Sequence, residues 1–223
     1  MAVPTERLRT SNTFWCTGST HDQLFRLTYS SGVTAEPQSV IPALDPASGL
    51  LPRGRFPTSE TEIHNRFVVT QALQASQTRK QIWVDFLSAR AAISALIPVL
   101  AAWIGGSFAT AKLDPGDIDV LWLVDDRKYG LLDESSRTIL SLFGSGKGLR
   151  SHTGWMIDSY LYGWIPIPNP DPVDQGQQQR FGLRGYWDDW FLRQKQQPKH
   201  LPSTNDDTVP RRGYLEVTYS AYL

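Results

Sequence analysis

The sequence predicts a mixed α/β (α+β) fold, a short mixed β-sheet flanked by helices. Three observations carry this expectation. Residues 118–124 (Ile-Asp-Val-Leu-Trp-Leu-Val) are apolar on both faces except at Asp119, the pattern of a central strand covered on both sides. Ile82, Phe86, Ala89, Ile93 and Leu96 recur at three and four residues, which makes one apolar helical stripe. Ser59-Glu60-Thr61-Glu62 has the spacing of a capping box, with Ser59 as N-cap and Glu62 three residues on.

Taken in order, residues 1–40 are Ser- and Thr-rich and read as a weakly structured N-terminal extension to a domain spanning 41–223. Within the extension, residues 24–29 alternate imperfectly, as a minor edge strand would. Residues 41–56 hold Pro42, Pro46, Pro52, Gly49 and Gly54 and predict an irregular lead-in. The capping box opens a helix over 60–72. A second helix spans 78–96, with Arg79, Lys80 and Arg90 off its apolar stripe, and Pro98 ends it. Residues 99–104 form a buried strand that enters the turn Gly105-Gly106-Ser107. After the strand at 118–124, residues 127–144 fit a helix carrying Leu131, Leu132, Ile139, Leu140 and Phe143. Residues 155–164 fit another strand, interrupted by Asp158. Residues 165–180 and 195–210 are polar and read as loops, with a short helix at 186–191 between them. Residues 214–222 alternate loosely and fit a terminal strand.

Composition narrows the function. The chain has 223 residues, 22 Lys and Arg against 22 Asp and Glu, and one cysteine. A lone Cys16 excludes an intrachain disulfide framework and a Cys-rich zinc site, and fits a reducing, cytoplasmic setting. No apolar run reaches the roughly 20 residues of a membrane span. The longest run, residues 89–104, is broken by Ser94 and Pro98, and the first five residues lack the apolar stretch of a signal peptide. Zero net charge argues against a sequence-independent coat on nucleic acid, which requires a basic excess.

The chemistry concentrates at Gly105-Gly106-Ser107, followed after nine residues by Asp117-Ile118-Asp119. Asp117 and Asp119 are two apart on a strand and leave the same face. Two close carboxylates raise each other's pKa unless a cation neutralises them, and a hard, oxygen-seeking ion such as Mg²⁺ is the simplest neutraliser. Their plainer reading is a pair of strand-end carboxylates capped by backbone. A glycine turn permits close backbone approach and aims amide N–H groups at an anion, and the Ser107 hydroxyl adds a donor. Together these features suggest a nucleoside triphosphate held through its Mg²⁺. A third carboxylate on a neighbouring strand would complete a two-metal site for in-line displacement. Asp158 is the best candidate, with a salt-bridged sheet residue as its plainer role. Lys112 is either a phosphate contact or a solvated loop lysine.

Gly106-Ser107, nine residues, Asp117-Ile118-Asp119 and a later Asp158 resemble the nucleotidyltransferase superfamily that includes DNA polymerase beta. The resemblance covers residues 99–164. It implies that the Gly106-Ser107 turn binds the triphosphate, beside Gly105 and Lys112, which the residues themselves offer as nucleotide contacts. It also implies that Asp117, Asp119 and Asp158 hold two Mg²⁺ ions, and that a nucleoside monophosphate is transferred with release of pyrophosphate. A looser resemblance adds Leu50-Leu51-Pro52-Arg53-Gly54, residues 106–112, Pro115-Gly116, Tyr186-Trp187 and Gly213-Tyr214-Leu215-Glu216-Val217. It is to short bacterial and phage proteins, among them nucleotidyltransferase halves of toxin–antitoxin pairs. It implies an RNA (tRNA) or protein acceptor and a cognate toxin or antitoxin partner. The rival expectation is a partner-binding module that keeps the fold without the activity.

Other motifs carry less. Residues 143–148 (Phe-Gly-Ser-Gly-Lys-Gly) echo a P-loop, but its first Gly would fall at Ser141 and Gly148 replaces the Ser/Thr, so a loop is expected. Asp125-Asp126 and Asp188-Asp189 are adjacent pairs and belong to turns or helix surfaces. His21, His64, His152 and His200 show no ligand spacing. Trp155, Trp164, Trp187 and Trp190 suit core packing, with one of them available to stack on a base.

Overall fold

Five strands and six helices are built from these patterns in a computed structural model that describes residues 41–196 and 200–219. The described residues belong to the unit spanning 37–223. The expectations for residues 1–40, including the edge strand and Cys16, lie outside the described residues, as does the end of the terminal strand.

The strands are β1 (Gly54–Thr58), β2 (Val99–Gly105), β3 (Ile118–Asp125), β4 (Ile157–Trp164) and β5 (Gly213–Thr218). They lie in the order β1-β5-β2-β3-β4. β1 runs parallel to β5 and β3 parallel to β4, while β2 is antiparallel to both its neighbours. The sheet is therefore mixed, as the sequence predicts. The most apolar run, β3, sits inside it, because a strand covered on both faces buries the most surface there.

Side chains alternate between two layers. Ala102, Ile104, Val120, Trp122, Leu215 and Val217 pack under α1 (Glu60–Phe67) and α2 (Arg79–Leu96). Phe86 of α2 stacks on Trp122 with ring centroids 5.5 Å apart. α3 (Asp126–Tyr129) buries no residue, while α4 (Glu134–Phe143) and α5 (Gly148–Thr153) contribute Leu140, Phe143 and Leu149 to the same core. The opposite layer gathers Leu100, Trp103, Leu121, Leu123, Tyr162, Trp164 and Tyr214 against Phe191 of α6 (Gln175–Leu192).

Several elements differ from the sequence expectation. α1 carries the full capping box but stops at Phe67 rather than 72, because Val68, Val69 and Thr70 are consecutive β-branched residues that fit a helix poorly. The expected helix at 127–144 divides into α3 and α4, with Asp133 accepting from the Ser136 N–H as a new N-cap. Residues 54–58 form a strand and not part of an irregular lead-in; Pro57 is tolerated because β1 is an edge strand. Residues 148–153, of which only Gly148 fell in the expected loop, are helical. The largest difference is α6, which takes the second part of the expected loop at 165–180 and extends past the expected short helix at 186–191. Its polar start is capped by Asp174, which accepts from the Gln177 N–H at 2.9 Å.

Candidate active site

The carboxylates meet at one end of the sheet. Asp119 is the register partner of Asp158 across the parallel β3–β4 pair and of Gly105 across the antiparallel β2–β3 pair. Register partners project to the same face. For Asp119 and Asp158 this is the face covered by α6, since Leu121 and Leu123 of β3 and Tyr160 and Tyr162 of β4 continue the alternation there, while Asp117, just before β3, lines the same cleft as Asp119.

The chain turns sharply at the end of β2. Gly106 opens a short 3₁₀ turn (Gly106–Ala109) with φ +71°, a left-handed conformation that favours glycine. A Cβ at Gly106 would stand 1.8 Å from Asp119 Oδ2, so the backbone and the carboxylate share space no side chain can enter. Gly105 has a separate role. A Cβ there would meet Phe191 Cδ1 at 2.8 Å, so this glycine seats α6 on the sheet.

Arg79 shapes the loop from the turn to Asp117. The sequence leaves it off the apolar stripe of α2, yet it is fully buried. Its guanidinium donates to the carbonyls of Phe67, Phe108, Thr110, Lys112 and Leu113 at 2.6–3.2 Å. All five N–H donors of a guanidinium can be used in such an arrangement, which organises backbone directly. Residues 108–113 are thereby wrapped around one cation.

A cleft of about 970 Å³ opens beside the turn. Gly106, Ser107, Lys112, Asp117 and Asp119 line it, and so do Trp190, Arg193, Lys195, Asp207 and Arg212. It is near the upper end of the range for small-ligand sites. The structure thus brings Gly106, Ser107, Lys112, Asp117 and Asp119 to one cleft. Asp158 stands beside Asp119 without lining it, and Gly105 lies under α6. Sequence reasoning missed Arg193, Lys195 and Arg212, and named Trp190 only as one of four tryptophans, any one of which could stack on a base. They come from the end of α6 and the residues before β5, segments whose placement depended on recognising α6.

The electrostatics follow the geometry. Burial pushes the Arg212 guanidinium down and the Asp119 charge opposes that shift, while Arg212 Nε donates to the Phe191 carbonyl at 3.2 Å. Burial, then the charges of Asp119, Asp158 and Asp117, push the Tyr160 phenol up to about 12. Tyr160 is therefore a protonated donor at neutral pH. Asp207 is held below the usual carboxylate range by the N–H groups of Gln196 and Thr204, at 2.6 and 2.8 Å. Asp117 takes Arg150 Nη1 at 3.2 Å.

The donor set fits a hard divalent cation in type and in position: three carboxylates at one sheet end, beside a glycine turn that leaves room only for backbone. They are not gathered to a point. Among the described residues no three His, Cys, Asp or Glu side chains stand together as a metal-holding group.

These features define a mixed α+β domain with a cleft built on paired strand-end carboxylates and a left-handed glycine turn. The chain belongs to DUF6932, a family of unknown function, which matches residues 42–218. No curated protein and no solved structure matches it. Among the described residues no helix is long and apolar enough to cross a membrane.

Proposed function

We propose that this chain is a Mg²⁺-dependent nucleotidyltransferase. It transfers a nucleoside monophosphate from a nucleoside triphosphate to a hydroxyl of an RNA (tRNA) or protein acceptor. The observation that carries this reading is the convergence of Gly106, Asp119 and Asp158 at one sheet end, with the Gly106 turn in direct contact with Asp119. Asp117, Asp119 and Asp158 would hold the cations, whose contribution is to neutralise charge on the phosphates. Gly106, Ser107 and Lys112, on the cleft wall, bind the triphosphate. The acceptor oxygen bonds to the α-phosphorus as the α–β bridging P–O bond breaks. Pyrophosphate leaves and the acceptor proton passes to Asp158. Asp158 stands beside Asp119 at the same sheet end, which is the position this role starts from.

The test is incubation with each α-labelled triphosphate and cell extract, followed by asking whether label enters RNA or protein. Asp117→Asn and Asp119→Asn should each abolish labelling with the fold intact; undiminished labelling in both sinks the mechanism. A cytoplasmic setting and a toxin–antitoxin or phage-defence role belong to the same proposal.

One observation favours a second reading, a non-catalytic partner-binding module of antitoxin type. Asp117 is already paired with Arg150, as it would be in a site that had given up its ion. Calorimetric titration with each nucleoside triphosphate and Mg²⁺ separates the two, since the module binds neither.

A further inference from the structure

Asp117 already has a cation, and it is the protein's own. Arg150 Nη1 lies 3.2 Å from Asp117 Oδ2, with side-chain exposures of 40% and 14%. The backbone that carries Arg150 is pinned. Gly146 and Ser159 exchange two backbone hydrogen bonds at 2.8 and 3.0 Å. Leu149 is buried, and left-handed Gly154 closes α5 with its N–H on the Arg150 carbonyl. The Arg150 side chain, 40% exposed, can leave Asp117 while these contacts of α5 are kept.

Two demands fall on Asp117. Without a divalent cation, three carboxylates at one sheet end repel each other, and a tethered guanidinium relieves that. With a divalent cation, Asp117 must give up Arg150 to serve as a ligand. A partly exposed ion pair is weak, so the exchange is inexpensive. A guanidinium released beside a triphosphate meets a better partner, because its planar fork matches phosphate oxygens two at a time.

We propose that Arg150 is an exchangeable internal counter-ion. It holds Asp117 in the cation-free protein and passes to a phosphate of the nucleoside triphosphate when a divalent cation takes the carboxylate. This rests on the nucleotidyl-transfer reading and adds a positioning residue to it, one that couples cation binding to nucleotide binding.

The experiment is calorimetry on the full chain, wild type against Arg150→Gln and Arg150→Lys, with circular dichroism confirming that each variant folds. Mn²⁺ alone should bind Arg150→Gln on the order of threefold more tightly than wild type, because its competitor is gone. An α,β-methylene triphosphate added with Mn²⁺ should bind Arg150→Gln about tenfold more weakly, and Arg150→Lys more weakly as well, since a point charge lacks the fork. The two effects have opposite signs, whereas a loosened fold weakens both. Mn²⁺ binding that is equal or weaker in Arg150→Gln overturns the counter-ion role and leaves the nucleotidyl-transfer reading standing. Tighter Mn²⁺ with unchanged nucleotide binding overturns the transfer to phosphate. No Mn²⁺ binding by any of the three proteins overturns this inference and the reading together.

Discussion

Gly106 and Asp119 approach so closely that the space between them excludes a methyl group. A Cβ on Gly106 would sit 1.8 Å from Asp119 Oδ2, and Gly106 holds φ +71°. Only glycine meets both conditions, so the turn and the carboxylate form one unit. Gly106→Ala should lower stability by more than about 2 kcal/mol in denaturant unfolding, from a strained left-handed alanine together with the collision. Adding Asp119→Ala clears the collision but not the strain. The double variant should therefore lose less than the sum of the single losses. Additive losses would show that the two residues do not share this space.

Asp119 and Asp158 are register partners, so either one's substitution removes half of a facing carboxylate pair. Asp119→Asn and Asp158→Asn should each lower labelling from an α-labelled triphosphate roughly a thousandfold, the scale of several kcal/mol of lost charge stabilisation. Thermal midpoints should stay within a few degrees of wild type. A large loss of stability at equal activity would assign the pair to structure.

The strands were legible where apolar runs were interrupted by single carboxylates, as at Asp119 in β3 and Asp158 in β4. The same interruptions placed the candidate site, because a carboxylate on an apolar strand is costly unless something compensates it. α6 was hidden by its polar start and by Gly176, Gly182 and Gly185, three poor helix formers; burial of Phe191, with Phe181 and Trp187 packed half-buried beside it, overrides them. One local signal was present, the Asp174 and Gln177 spacing that caps the helix. Missing the length of α6 cost the place of Arg193 on the cleft wall. Arg79 and Arg150 were illegible for another reason: their partners lie at least 12 and 33 residues away in sequence, and no periodicity encodes such contacts.

Arg79 supports the site from beneath. It satisfies five carbonyls, three of them on residues 108–112 of the loop that returns to Asp117. Arg79→Ala should cost at least about 3 kcal/mol, because buried carbonyls lose their donors and a large void remains. Arg79→Lys should recover part of this, since three donors replace five. The check is the urea midpoint of each purified variant. A loss below about 1 kcal/mol for Arg79→Ala would mean that water replaces the guanidinium at these carbonyls.

Alkaline pH should unfold this chain through its tyrosines. Burial, with the charges of Asp119, Asp158 and Asp117, lifts Tyr160 to about 12. Burial also raises Tyr219, whose hydroxyl donates to Glu60 Oε1 at 2.8 Å, and Tyr214, whose hydroxyl donates to Asp188. An unfolded tyrosine ionises near pH 10. A phenol whose folded pKa lies above that value contributes stability in full below pH 10 and loses it as pH rises through the folded value. For Tyr160 the loss falls between about pH 10 and 12; for Tyr219 and Tyr214 it begins near pH 10 and continues beyond. Tyr219→Phe should cost about 1 kcal/mol at pH 8, where only the hydrogen bond is lost. The gap to wild type should narrow above pH 10, because the variant has one fewer buried group to ionise. Urea unfolding at pH 8 and at pH 11 measures that gap. Curves that stay parallel would show that Tyr219 ionises as readily in the folded protein as in the unfolded chain.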